Sequence, residues 1–525
     1  MSTLLLEPIE AANRLLESGP SDPTADAPRL TMLTSAEIHG RARTKIVATI
    51  GPACSSPEMI RELAIAGVDV FRLNMAHGSI EEQQQHVESI RRISSEMEQP
   101  IAILVDLGGP KFRLGDVEND CVFCETDHEF FFVEGNQPAA ANELTCTYKP
   151  LVRELSVGDM VMLADGTVSM RIVEKLTDRA RARVVQRGNI RSRQGINLPG
   201  VKLSAPAISR RDHEHAEWAA QADVDFVSLS FVRKPDEVHA LRDILRSNSS
   251  EAMVIAKIEK REALDRLDEI VAAADGVMVA RGDLGVEIDV AEMPVEQKRI
   301  IRTCHRHHKP VIIATQMLDS MHDSLRPKRA EATDVANAIL DGGDACMLSG
   351  ETAIGNYPLE TVRMMNRIAL ATEASVADRP PRAPDAVPIG KKLHEITSAV
   401  VSGAGTMAHT LRAKLVVVAS FSGRTALGLS QLRSHVPTIG VSTSDRTLRK
   451  MCLYWGVTPL KGAPASDTPG LIRYMDSWAR RQGFARAGDR IVIVGGSHLT
   501  TGGEESSPMK AGVHDIVIVH EVEAE

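Results

Sequence analysis

Lys257 and Glu259 stand two positions apart in the apolar stretch VIAKIE, 254–259. In a strand that spacing sends both side chains to one face. A solvated surface pair would contribute little and would not need so apolar a strand around it. Two further stretches end in the same way. GVMVARG (276–282) runs on into Asp283, and PVIIATQ (310–316) carries Thr315. Two carboxylates from neighbouring segments suit a hard divalent ion, Mg2+ or Mn2+, which keeps positions open for water and substrate oxygens. Lys257 beside such an ion, with Arg72 from RLNMAHG, supplies the positive charge that a transferring phosphoryl group requires. Gly282 leaves room for close approach, and backbone N–H groups would face a carboxylate if a short helix starts there. The chemistry these residues describe is phosphoryl transfer involving a small phosphorylated acid.

The elements that must hold them repeat one pattern, a short apolar strand followed by an amphipathic helical stretch. The strands are KIVATIG (45–51), VDVFRLN (68–74), IAILVDL (101–107), FVSLSF (226–231), VIAKIE, GVMVARG, PVIIATQ and ACMLSGE (345–351). Eight such units close a (β/α)8 barrel, whose chemistry belongs at the C-terminal ends of the strands. The predicted barrel occupies 41–115 and 196–376. Between its two parts, strand-like pieces and turns over 116–195 predict an inserted β lid domain, a small β-barrel beside the barrel mouth. A proline-rich linker follows over 377–390. Five apolar strands alternating with helices over 391–525 then predict a doubly wound α/β domain. Residues 1–40 read as an N-terminal extension.

The chain has 525 residues, more than one core organises at about 150 residues per domain. A net charge of -9 argues against nucleic acid as a partner, and no apolar run reaches the roughly 18 residues that span a bilayer. Seven scattered cysteines read as free thiols in a reducing compartment, so a cytoplasmic protein without a membrane partner is expected. The pair Cys121 and Cys124 lacks a second pair to complete a zinc site. In CHRHHK, Cys304 to Lys309, the basic groups read as a helix end facing its own dipole.

At this point the motifs RTKIVATIGPA, RLNMAHG, DLGGPKFR, GINLPGV, FVSLSFVRK, AKIEK, VARGDLGVE, ATQML, PKRAEATDVANA and MLSGETA resemble, in order and spacing, those of pyruvate kinase. The resemblance is strong over 43–376 and weaker elsewhere. It implies transfer of the phosphoryl group of phosphoenolpyruvate to ADP, giving pyruvate and ATP in glycolysis, with a homotetrameric assembly. It assigns Lys257 to the transferring phosphoryl group and enolate, and Glu259 and Asp283 to the metal. Thr315 falls near the substrate carboxylate and the proton-delivery path. Ala280, Arg281, Gly282 and Ser230 fall in the substrate pocket, Arg72 at the phosphate, and Asn74, His77 and Arg113 on the ADP/ATP side. In the lid, Asp165 keeps one of two acidic residues frequent in the family.

Potassium-requiring relatives surround that ion with a serine, an asparagine, an aspartate and a threonine. Here Asn74 and Asp106 remain, while Ala76 and Leu107 offer no side-chain oxygen. Lys111 stands where those relatives carry glutamate, so its ammonium is expected to substitute for the ion and K+ is expected not to be required. The turn SFSGRTA supplies Ser420, Ser422, Gly423, Arg424 and Thr425, a phosphate-suited strand-to-helix turn that the resemblance links to a sugar-phosphate or nucleotide effector. Glu504 and Glu505 in the later loop 502–512 would repel such a phosphate. The competing reading is a catalytically silent phosphometabolite sensor that keeps the fold and this turn. The retained AKIE, RGD and ATQ segments favour the enzyme.

Overall fold

The computed structural model describes residues 40–377 apart from 136, 137, 139 and 165, together with 395–495 and 515–523. The expectations for residues 1–39, Asp165, most of the linker and the loop 502–512 lie outside the described residues.

Eight parallel strands close a barrel. β1 (Lys45–Thr49), β2 (Val68–Asn74) and β3 (Ala102–Asp106) come first. An excursion then follows, of β4 (Cys121–Cys124), β5 (Glu129–Val133), β6 (Glu143–Leu144), β7 (Met160–Leu163), β8 (Val168–Lys175), β9 (Arg179–Gln186), β10 (Gly188–Arg191) and β11 (Ile196–Asn197). The barrel resumes with β12 (Phe226–Leu229), β13 (Met253–Ile258), β14 (Gly276–Ala280), β15 (Val311–Ala314) and β16 (Ala345–Leu348), and β16 pairs with β1. The excursion forms a six-stranded sheet and a two-stranded ribbon around their own core, including Phe132, Leu163 and Met170.

Period-two alternation sorts the barrel strands into two faces. Val227, Ala256 and Val279 join the core shared with the surrounding helices, whereas Phe226, Ile255, Met278 and Ile312 cluster inside the barrel with Val47, Val70 and Leu104. Local chemistry fixes the helices. Ser79 and Glu82 form a reciprocal capping box at the start of helix Ile80–Glu96, and Ser56 with Pro57 starts the helix that ends at Gly67.

The remaining strands, β17 (Leu415–Ala419), β18 (Thr438–Val441), β19 (Val457–Leu460), β20 (Arg490–Gly495) and β21 (Ile516–Glu521), form one sheet in the order β19-β18-β17-β20-β21. Separate apolar clusters cover its two faces, as in a doubly wound fold, and β21 runs antiparallel to β20 at the edge. This sheet's helices meet the N-terminal ends of the barrel strands. Arg449 reaches Asp225 at 2.5 Å and Arg433 reaches Asp344 at 2.9 Å. Among the described residues no helix is long and apolar enough to cross a membrane.

The predicted strands are all present, but every barrel strand except β2 ends earlier than expected, and three of those ends matter. β13, β14 and β15 stop at Ile258, Ala280 and Ala314. Glu259, Asp283 and Thr315 therefore sit just beyond the strands. A helix, Arg281–Glu287, begins immediately after β14, and Thr315 and Gln316 adopt left-handed backbone with φ 68° and 55°. Such conformations cost side-chain-bearing residues energy and turn the chain sharply off the sheet.

Candidate active site

One strand position above the apolar lumen, the inward-facing residues become polar. On β2 the alternation runs Val70, Arg72, Asn74; on β3, Leu104 to Asp106; on β12, Phe226, Ser228, Ser230; on β13, Ile255, Lys257, Glu259. Register places Asp106 opposite both Asn74 and Ser228. Asp106, Glu259 and Ser228 are all 2% exposed or less, and Lys257 only 9%.

Asp106 is the hub. Its Oδ2 accepts from Arg72 Nε at 2.8 Å, and its Oδ1 accepts from Ser228 Oγ at 2.5 Å. Lys257 Nζ lies 3.3 Å from Oδ1 and 3.4 Å from Oδ2. The same ammonium donates to Ser230 Oγ at 2.8 Å and approaches Glu259 Oε1 at 3.0 Å. Arg72 also reaches Thr49 Oγ1 at 3.0 Å. Burial alone would push the Asp106 carboxyl up, but Lys257, Arg72 and the Ser228 hydroxyl outweigh it and hold that carboxyl well below its usual range. For Lys257, burial acts to lower the ammonium, while Asp106 and Glu259 overcome it and raise it, so it stays charged. Burial pushes Glu259 up, with Lys257 opposing and Asp283 adding to the rise.

Arg72, Asp106, Ser230, Lys257 and Glu259 surround a cavity of about 80 Å3 at the barrel mouth, also lined by Asn74, Ala280, Asp283 and Thr315. Lys111 lines it too, together with Ala76 and Leu107. The turn that carries Lys111 depends on Gly109, whose φ is 67° and where an added Cβ would lie 2.9 Å from Ser230 Cβ. Lys111 is exposed, and its ammonium has no partner among the described residues. It also lines a larger cleft of about 250 Å3, together with Arg113, Phe112, Phe231 and Asp283. That cleft runs between the barrel mouth and the inserted sheet, through Ile196 and Asn197 of β11.

Glu259 Oε2 is fixed by the backbone N–H of Phe231 at 2.6 Å, and Phe231 is itself left-handed at φ 55°. Glu259 Oε1 makes no aligned hydrogen bond despite its burial, and Asp283 has no hydrogen-bond or ion-pair partner among the described residues. A buried carboxylate whose Oε1 has only the Lys257 ion pair, beside a second carboxylate without a partner among the described residues, is the donor set a hard divalent cation takes. Thr315 Oγ1 donates to Ala314 O and accepts from Gly282 N, both at 2.7 Å. The Gly282 N–H is therefore already engaged at the helix start.

Other expected residues are placed differently. Arg281 turns away from the cavity and pairs with Asp334 at 2.6 Å, while donating to the carbonyl of Thr315 at 2.8 Å. His77 is exposed on the loop after β2 and lines neither cavity. In the third sheet, Gly423 has φ 83° and precedes the helix Arg424–Gln431, with its N–H held by Ser420 Oγ at 3.0 Å. Ser422 and Arg424 are exposed and Thr425 is buried. Ser228 and Thr49 were not singled out in the sequence. The signal was there for Ser228, a hydroxyl at period two from Ser230 inside an apolar strand.

The chain is similar to known proteins over most of its length. Residues 41–362 match the family described as pyruvate kinase, barrel domain, and residues 398–507 match pyruvate kinase, alpha/beta domain. A pyruvate kinase of Staphylococcus epidermidis is 38% identical over 465 residues, covering 86% of this chain and 77% of that protein. One from Staphylococcus haemolyticus is 39% identical over 466 residues, covering 86% and 78%. The crystal structure of a pyruvate kinase from Cryptosporidium parvum superposes with a TM-score of 0.83 at 29% identity, covering 95% of this chain and 99% of that one.

Proposed function

The chain belongs to the pyruvate kinase family, and from that premise we propose that it transfers the phosphoryl group of phosphoenolpyruvate to ADP without needing potassium. The observation that carries the transfer is Lys257, held charged by Asp106, Glu259 and Ser230 at a cavity that Arg72 and Asp283 share. Arg72 would grip the phosphate, and Lys257 would meet the charge that develops on the enol oxygen and the passing phosphoryl group. Glu259 and Asp283 would hold Mg2+, which when bound neutralises phosphate charge and orients its oxygens.

The bond from the enol oxygen to phosphorus breaks as a bond from an ADP oxygen forms, and the enolate then takes a proton at carbon. Thr315 already directs its own hydroxyl proton to Ala314 O. A water held at Thr315 is therefore the better donor. On this reading ADP enters the larger cleft past Arg113, and the segment 116–195 acts as the lid over it. In this view Asn74 lies on the nucleotide side of the smaller cavity, while His77, which lines neither cavity, would meet the nucleotide only from the loop outside it.

Independence from potassium rests on Lys111, which lines the cavity beside Asn74, Asp106, Ala76 and Leu107. One fixed positive charge takes the place of another near the phosphoryl group. Pyruvate formation coupled to NADH oxidation tests both parts. Turnover should require ADP and magnesium and stay unchanged when tetramethylammonium replaces all potassium and sodium. No turnover in any salt would leave the silent sensor, and a large activation by potassium would remove the role given to Lys111. Lys111→Glu should lower activity even with potassium present, because Ala76 and Leu107 restore no oxygen.

A further inference from the structure

We propose that Ser228 is a positioning residue for Lys257, acting through Asp106; the inference rests on the phosphoryl-transfer reading above. Ser228 is completely buried on β12 and faces the lumen one layer below Ser230, between the apolar floor and the ionic mouth. Its hydroxyl donates to Asp106 Oδ1 at 2.5 Å, the short distance of a hydrogen bond to an ionised acceptor. The backbone fixes this geometry. Ser228 is the register partner of Asp106, and Ser228 O accepts from Leu107 N at 3.1 Å, so neither strand can slide relative to the other.

The two oxygens of Asp106 are used unequally. Oδ2 carries both Arg72 contacts, whereas among the described residues Oδ1 has Ser228 as its only short donor, with Lys257 farther away at 3.3 Å. Lys257 Nζ straddles the carboxylate at two nearly equal long distances and makes its shorter contacts upward, to Ser230 and Glu259. Ser230 cannot substitute for Ser228, because its own proton goes to Leu107 O at 2.7 Å. Without the Ser228 hydroxyl, Oδ1 would be a buried acceptor lacking a short donor. The nearest group able to supply one is the Lys257 ammonium. Satisfying Oδ1 would draw the ammonium down into a tight ground-state ion pair and away from the cavity. Arg72, anchored on Oδ2, would stay in place.

This asymmetry gives a kinetic signature. Ser228→Ala should lower kcat about tenfold, as loss of one hydrogen bond to a charged group can. The KM for phosphoenolpyruvate, set chiefly by Arg72, should change by no more than about twofold. Ser228→Thr, which keeps the hydroxyl, should recover most of kcat. The wild-type protein is assayed in parallel: if it turns over phosphoenolpyruvate and ADP while Ser228→Ala keeps full kcat, this inference fails and the functional reading survives. A wild-type protein without turnover defeats that reading and this inference with it. A rise in KM at constant kcat, or a Thr variant as slow as the Ala variant with an unchanged melting midpoint, also overturns the positioning role.

Discussion

The barrel mouth and the turn Ser420–Thr425 both present cationic and hydroxyl groups at the end of a parallel strand, yet they hold them differently. At the mouth, Arg72, Lys257, Asp106 and Ser228 satisfy one another inside a lumen closed from below by Phe226, Ile255 and Met278. At the turn, Arg424 and Ser422 point outward, and the internal hydrogen bond runs from Gly423 N–H to Ser420 Oγ. The first is a set of charges fixed before any ligand arrives; the second is a backbone shape with its charge left in solvent. Preorganised charge in a dry site does far more electrostatic work than the same charge in water.

Substitution can break that contrast, and the largest effect should come from its centre. Lys257→Met removes the charge proposed to face the phosphoryl group, and kcat measured in the coupled assay should fall about a thousandfold. A loss below tenfold would mean that the mouth is no more preorganised than the turn. Next comes Asp106→Asn, which leaves Arg72 buried without its counter-charge and Lys257 with Glu259 alone. Breaking a buried pair on one side costs about 3–5 kcal/mol, read as a drop in the urea midpoint. The pH dependence has a definite sign. Because the folded-state Asp106 carboxyl is held below its usual range, its contribution is fully present above the unfolded value of about 4 and is lost as pH falls further toward the folded value. The wild-type advantage over Asp106→Asn should thus hold constant from pH 7 to about 5 and shrink below about 4. The smallest effect belongs to the turn: Ser420→Ala loses one acceptor for Gly423 N–H and should cost about 1 kcal/mol in thermal unfolding. A cost equal to that of Asp106→Asn would erase the distinction.

Much of this was readable from residue order, for identifiable reasons. Apolar runs with period-two charges near their ends announce a barrel and the face of its chemistry, so VIAKIE located Lys257 and Glu259 correctly on one side. Strand ends were less legible. Asp283 and Thr315 lie beyond their strands because a helix starts at Arg281 and because left-handed backbone at Thr315 and Gln316 turns the chain. Nothing in a residue list encodes such strain. Partnerships between distant strands were hidden as well. Asp106 reads in sequence as what remains of a cation site, and only the closed barrel shows it shared among Arg72, Ser228 and Lys257. Arg281 looked like a substrate group by position, whereas its partner Asp334 lies 53 residues away on another helix.

The seam between β1 and β16 has a consequence in time. Lys45 pairs with Ala345, about 300 residues later in the chain. At the usual pace of synthesis, about 5–20 residues per second, the first strand waits roughly 15–60 s for the neighbour that closes the ring. Through that interval KIVAT offers a bare apolar edge. The nascent chain is therefore open to misassembly at that edge until the last barrel strand has been made.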